Sequence, residues 1–213
     1  MVLPADIAYT HSRIEDVDLR LADTILSARE FAYLETVTHE GRQTEYTAGR
    51  IVARQLAGEV LQLPPQEVPL DVAADGSLVL TGHDVGLSLA HAHNGVCAAV
   101  AQSTSVGIDL ERIKPRHPDL YRFILHPDEY HLLDSLALER DQILILCWAL
   151  KEATLKGMKT GFRCSPKKLK IAVDLPAQQA LVSAEGGSAW QLGFEEVDGC
   201  YLAIAFPADA HTH

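Results

Sequence analysis

A chain of 213 residues, 47% apolar and 22% charged, is long enough to bury a full core and has the make-up of an ordinary globular protein, in one domain or two small ones. Its formal charge of −11 argues against general nucleic-acid binding, which needs a basic footprint. No run reaches membrane-spanning length and the N-terminus has no apolar signal core, so the expectation is a cytoplasmic protein with no membrane partner.

Taken in chain order, the pattern from Gly41 to Leu63 predicts an amphipathic helix ended by Pro64-Pro65. It carries Arg42 and Arg50, which read either as surface residues or as guanidinium grips on phosphate. Short extended segments at Val68–Leu70 and Leu78–Leu80 flank the turn signal Asp75-Gly76. The stretch Leu87–Ala101, with Asn94-Gly95 between apolar runs, predicts a hairpin. His91 and His93 lie in it two apart, which would aim both rings to one side: a zinc pair, a phosphate-holding histidine, or structural histidines.

The segment Val106–Glu111 alternates apolar residues with Gly107, Asp109 and Glu111, which is strand periodicity. Its two carboxylates stand roughly 6.5 Å apart along the strand, close enough to converge on one hard cation, although solvated strand-end acids look the same. A long helix is expected from about Asp141 to Gly157, with Gly161 as its stop. On it Trp148, Glu152, Lys156 and Lys159 share one face, with Lys151 a step around. Glu152 and Lys156 alone are a stabilising i,i+4 pair worth a few tenths of a kcal/mol. Beside Asp109 and Glu111, a third carboxylate among ammonium groups suits a metal-bound, phosphate-bearing substrate. Residues 151–170 hold seven Lys/Arg against one acid, Glu152, so this stretch is +6 and the remainder is −17. A cationic patch on an acidic protein points to an anionic ligand or an acidic partner surface. Cys97, Cys147, Cys164 and Cys200 are scattered with no Cys-x-x-Cys, which reads as reduced, packed thiols rather than a nucleophile. The tail from Ala208 to His213 is expected to fray.

Two further apolar segments flank Asp198-Gly199. Sliding Gly95 onto Gly199 sets Val96–Ala101 against Cys200–Ala205, and a helix precedes each hairpin. The reading is an internal duplication: an N-terminal lobe over 1–103 and a C-terminal lobe over 104–213 that carries the metal and catalytic motifs.

Placed in order, Ser88-Leu89-Ala90-His91, Gly107-Ile108-Asp109-Leu110-Glu111 and Trp148-Ala149-Leu150-Lys151-Glu152-Ala153-Thr154-Leu155-Lys156 resemble the marks of the Sfp-type 4′-phosphopantetheinyl transferases. Phe123 to Glu129-Tyr130 looks like that family's segment ahead of the helix, and Arg42–Arg54 like its early basic helix. The resemblance implies an α+β fold of two similar lobes, an intramolecular pseudo-dimer with coenzyme A in the cleft. It also implies a reaction: a serine hydroxyl of an apo acyl, peptidyl or aryl carrier protein attacks the β-phosphate of coenzyme A, and adenosine 3′,5′-bisphosphate leaves. Mg²⁺, with Mn²⁺ as the alternative, would be held by Asp109, Glu111 and Glu152. Glu152, Lys156 and His91 become the expected catalytic residues, and Arg42, Arg50, His91, Lys151 and Lys156 the expected coenzyme contacts. The protein is expected to act as a monomer.

Two departures stand out. Ala90 replaces the Ser or Thr that commonly precedes the histidine, and Gly76-Ser77-Leu78 lacks the lysine of the family's Gly-Lys-Pro loop. A metal-dependent phosphohydrolase built on the same carboxylates is the competing enzyme reading. A non-catalytic carrier-binding or coenzyme-binding module is the competing reading of another class.

Overall fold

The computed structural model describes residues 1–102, 104–159, 164–184 and 186–208. The expected stop at Gly161, most of the tail from Ala208 to His213 and the patch residue Arg163 lie outside the described residues.

The chain opens with strand β1 (Ile7–Arg13) and two short helices, α1 (Ala22–Ile25) and α2 (Ala28–Thr36). The long helix α3 (Glu40–Leu61) follows, close to its expected bounds. Next come β2 (Leu70–Val72), β3 (Leu78–Leu80), β4 (Val85–Ala92) and β5 (Gly95–Gln102). The second half starts with β6 (Gly107–Arg112), then α4 (Tyr121–Ile124), α5 (Leu132–Ser135) and α6 (Arg140–Gly157). Strands β7 (Leu169–Asp174), β8 (Gln179–Ala184), β9 (Ala189–Val197) and β10 (Cys200–Pro207) complete it.

One sheet has the order β1-β5-β4 and the larger one β6-β10-β9-β8-β7, with every pairing antiparallel. Period-two alternation builds the layers. On β5, Val96, Ala98 and Val100 pack against α3, while Cys97, Ala99 and Ala101 face Ile108, Leu110, Leu202 and Ile204 of the other sheet. On β10, Tyr201, Ala203 and Ala205 turn outward to α6. The order is therefore helix, sheet, sheet, helix, and the two sheets share one apolar interior. Met1 and Leu3 also join that shared interior and crowd Gly193 on β9, so the first residues of the expected N-terminal lobe lie against the second sheet.

The repeat is deeper than the hairpins, and the hairpin alignment needs a one-residue correction. Ala92 pairs with Gly95, so the first turn is His93-Asn94, with His93 at φ 58°, and not Asn94-Gly95. Val197 pairs with Cys200 across Asp198-Gly199, so Gly95 corresponds to Cys200. Gly95 serves a close approach instead of the turn: a Cβ there would lie 2.8 Å from Leu110 Cδ2 and 3.0 Å from His11 Nε2.

Both halves also contain the same buried clamp. Ile25-Leu26-Ser27-Ala28-Arg29-Glu30-Phe31 parallels Ile124-Leu125-His126-Pro127-Asp128-Glu129-Tyr130. In each copy the glutamate closes a capping box, Glu30 with Ser27 and Glu129 with His126. A cation from the long helix then grips it. Arg54 holds Glu30 at 2.8 Å and donates to the carbonyls of Pro65 and Val68. Lys151 holds Glu129 at 2.7 Å and donates to the carbonyls of Ile124 and Leu169. Among the described residues no helix is long and apolar enough to cross a membrane.

Candidate active site

Gly107 is what lets the carboxylate strand reach the lysine helix. A Cβ there would lie 1.9 Å from the carbonyl oxygen of Ala153, so β6 runs directly beneath α6. Gly107→Ala is expected to cost about 3 kcal/mol, the upper part of the overpacking range, read as a fall in melting temperature.

With Val106, Ile108 and Leu110 in the shared interior, Asp109 and Glu111 turn toward α6. Lys156 Nζ donates to Asp109 Oδ1 at 2.7 Å, and Asp109 Oδ2 is buried with no hydrogen-bond partner. Trp148 Nε1 donates to Glu111 Oε1 at 2.8 Å, and Arg116 Nη2 to Glu111 Oε2 at 3.1 Å. Glu152 lies within electrostatic range of both acids: burial, then the Asp109 charge, push its pKa above the usual carboxylate value. Burial and Asp109 raise Glu111 in the same way, against the opposing pull of Trp148 and Arg116. For Lys156, burial pulls the ammonium down and the Asp109 carboxylate more than offsets it, leaving the pKa raised.

The three expected ligands are thus brought into one neighbourhood. Among the described residues, however, no group of three or more His, Cys, Asp or Glu side chains stands as a ready-made metal cluster. Lys156, Trp148 and Arg116 occupy oxygens that the sequence reading reserved for a cation. The zinc pair fails on geometry: His93 sits in the left-handed turn beside Arg112, at 3.3 Å, while His91 is on the strand with Glu45 at 3.7 Å.

A cleft of about 370 Å³ lies between the halves, lined by Arg50, Gly76, Ser77, Ser88, His91, Lys156 and Lys159 among others. It adjoins a second of about 430 Å³ that shares Arg50 and Gly76 and contains Tyr33 and Tyr46. Arg50 is 8% exposed, rests 4.7 Å over the Tyr46 ring and leaves Nε and Nη1 without hydrogen bonds. The loop at Gly76-Ser77 forms a wall of both clefts or one of them even without a lysine. Ala90 faces the shared interior, so its methyl packs instead of meeting the cleft, and the hydroxyl of Ser88 accepts from the Ile108 amide to tie β4 to β6.

Two expected coenzyme contacts change. Lys151 is fully buried, and its three hydrogen bonds go to Glu129 and two carbonyls. One step around the helix from Glu152 is about 100°, enough to turn it away from the acids and into the core. Arg42 is exposed on the first turn of α3, about 12 Å along the axis from Arg50, and lines neither cleft. The residues that sequence reasoning missed are Arg116, which had no motif to mark it, and Glu30 and Arg54, whose signal was the repeated Ile-Leu-x-x-x-Glu-aromatic segment.

Residues 105–205 match the model of the 4′-phosphopantetheinyl transferase superfamily. Over 204 residues the chain is 32% identical to the 4′-phosphopantetheinyl transferase HetI of Nostoc sp., covering 91% of this chain and 81% of that one. The chain belongs to the 4′-phosphopantetheinyl transferase family. Another relative of this transferase is 4′-phosphopantetheinyl transferase psf-1 of Bacillus pumilus, 29% identical over 51% of this chain and 47% of its own length. The solved holo-[acyl-carrier-protein] synthase of Thermotoga maritima matches 49% of the transferase and 62% of its own chain, at 18% identity and a TM-score of 0.41. As a member of this enzyme family the transferase moves phosphopantetheine from coenzyme A to carrier proteins.

Proposed function

We propose that the cleft between the halves, taken as lobes 1–103 and 104–213, holds coenzyme A with its diphosphate against Lys156 and His91 and its adenosine end toward Arg50. The observation that carries this reading is Lys156, which lines the cleft and holds Asp109 at 2.7 Å, so that the cationic wall adjoins the group of three carboxylates. A pyrophosphate ester repels an incoming oxygen nucleophile, so its charge must be offset and its groups held in line. Lys156 offsets charge on the transferred phosphoryl and leaving groups. His91 holds a phosphate oxygen. The Arg50 guanidinium, ion-paired with Glu30 at 3.6 Å but with Nε and Nη1 without hydrogen bonds, and with Tyr33 and Tyr46 nearby, suits the 3′-phosphate and the base.

Asp109, Glu111 and Glu152 would hold a divalent cation. The buried orphan Asp109 Oδ2 and the raised pKa values of the other two mark an anion-rich site that fits one. Mg²⁺, or Mn²⁺ in its place, supplies charge neutralisation to the diphosphate when bound. Glu152 accepts the proton of the carrier serine, directly or through a water. The protein acts as a cytoplasmic monomer in this reading.

The deciding experiment is intact-mass analysis of apo-carriers incubated with the protein, coenzyme A and Mg²⁺. A gain of about 340 Da, the mass of the phosphopantetheine group, is expected on a serine. Coenzyme A hydrolysis without any carrier gain would instead establish the phosphohydrolase.

Lys159, Lys167 and Lys168 follow α6 in the chain and steer the acidic carrier toward the cleft, while Lys170 pairs with Asp128 at 2.6 Å. The KM for carrier is expected to rise with ionic strength while that for coenzyme A changes less. Equal salt effects on both would remove this role.

A further inference from the structure

The halves can be aligned by strand pairing alone, and the alignment separates what folds the chain from what serves the site. Gly95 corresponds to Cys200, so Val96 corresponds to Tyr201. Ser12 pairs with Val96 and Glu111 with Tyr201, which makes Ser12 the counterpart of Glu111 and Thr10 that of Asp109. On the helices, the matched clamp cations Arg54 and Lys151 set Ile51 against Trp148 and Gln55 against Glu152. Thr10, Ser12 and Gln55 line one cleft of about 570 Å³, so the counterpart positions do gather in space.

That twin cleft has none of the three carboxylates, and a buried isoleucine stands where α6 has Trp148. The glutamate clamp, by contrast, is present in both halves. A feature kept twice is needed by the fold; one found only beside the carboxylates is there for them. The hydrogen bonds of Trp148 and Arg116 to Glu111 are of the second kind.

We propose that Trp148 is a positioning residue for Glu111, and that its N–H, seconded by Arg116, sets the affinity of this site for a divalent cation; the inference rests on the metal reading given above. A carboxylate offers about four lone-pair positions, of which Trp148 takes one on Oε1 and Arg116 one on Oε2. Held at both oxygens, Glu111 cannot swing away from the charges of Asp109 and Glu152, and two lone pairs stay presented to a cation. An indole is suited to the task because it donates without adding charge, and it has few torsions to freeze. A second cation on Glu111, beside Arg116, would cancel more of the negative charge that attracts the ion, as Lys156 already partly does at Asp109.

The test is Mn²⁺ titration of the whole chain without coenzyme A, by calorimetry and by electron paramagnetic resonance of the free ion. Trp148→Phe keeps the aromatic bulk and removes the donor. It is expected to weaken Mn²⁺ binding by about tenfold or more, the loss that follows removal of a hydrogen bond to a metal ligand. The same variant should recover kcat to within about threefold of the parent at saturating Mn²⁺, with its melting temperature little changed. Trp148→His, which can present a ring N–H again, should regain part of the affinity. A merely structural tryptophan would lower the melting temperature and leave the Kd for Mn²⁺ of the folded fraction where it was. Parent-like Mn²⁺ affinity in Trp148→Phe overturns the inference while leaving the function reading intact. A parent that binds no Mn²⁺ sinks both this inference and the metal reading.

Discussion

Replacing Lys151 by methionine is expected to cost about 3–5 kcal/mol, because it strands the buried Glu129 carboxylate without its cation. For a chain of this size that is a fall of roughly 6–20 °C in melting temperature. The pair is fully enclosed, so solvent does not screen it: the side chains are 0% and 3% exposed. Burial also pulls the Lys151 pKa down, a sign that the ammonium is kept charged by its partner and not by water. The double change Lys151→Met with Glu129→Gln should recover much of the loss, since it removes the stranded charge. At low temperature the remaining folded Lys151→Met protein should keep its KM for coenzyme A. A variant that stayed stable but lost coenzyme A affinity would return Lys151 to the role its place in the motif implied.

Glu152→Gln is expected to lower kcat by about 10²- to 10⁴-fold, the range for loss of a general base, with melting temperature preserved. Its pH behaviour gives a second readout. Glu152 has a raised pKa, so it is still partly protonated at pH values where an ordinary glutamate is fully ionised. In the metal-free protein the affinity for Mn²⁺ should therefore fall away at higher pH than a free carboxylate would give, and the glutamine variant should lose that part of the dependence. Undiminished turnover would take the base assignment from Glu152.

The motif residues were legible in the sequence because each depends on local periodicity. Alternation along β6 is enough to place Asp109 and Glu111 on one face, and helical spacing is enough to align Trp148, Glu152 and Lys156. Family likeness then names the reaction of the chain, which 32% identity along nearly the whole chain bears out.

Periodicity says nothing about what occupies the opposite side of an element, and there the tertiary structure decided. Lys151 and Glu152 are neighbours in sequence, yet one is locked beneath α4 and β7 and the other meets the carboxylates. Asn94-Gly95 has the composition of a turn, but the glycine went to a close strand crossing and the turn fell on His93. Arg116 reaches Glu111 from the loop five residues on, and that loop is held to α6 by the Arg116 amide, which donates to Asp141 at 3.2 Å. Local spacing by itself determined which groups could act together; burial, charge and the reach of each side chain, which exist only in the packed molecule, determined which of them are free to do so.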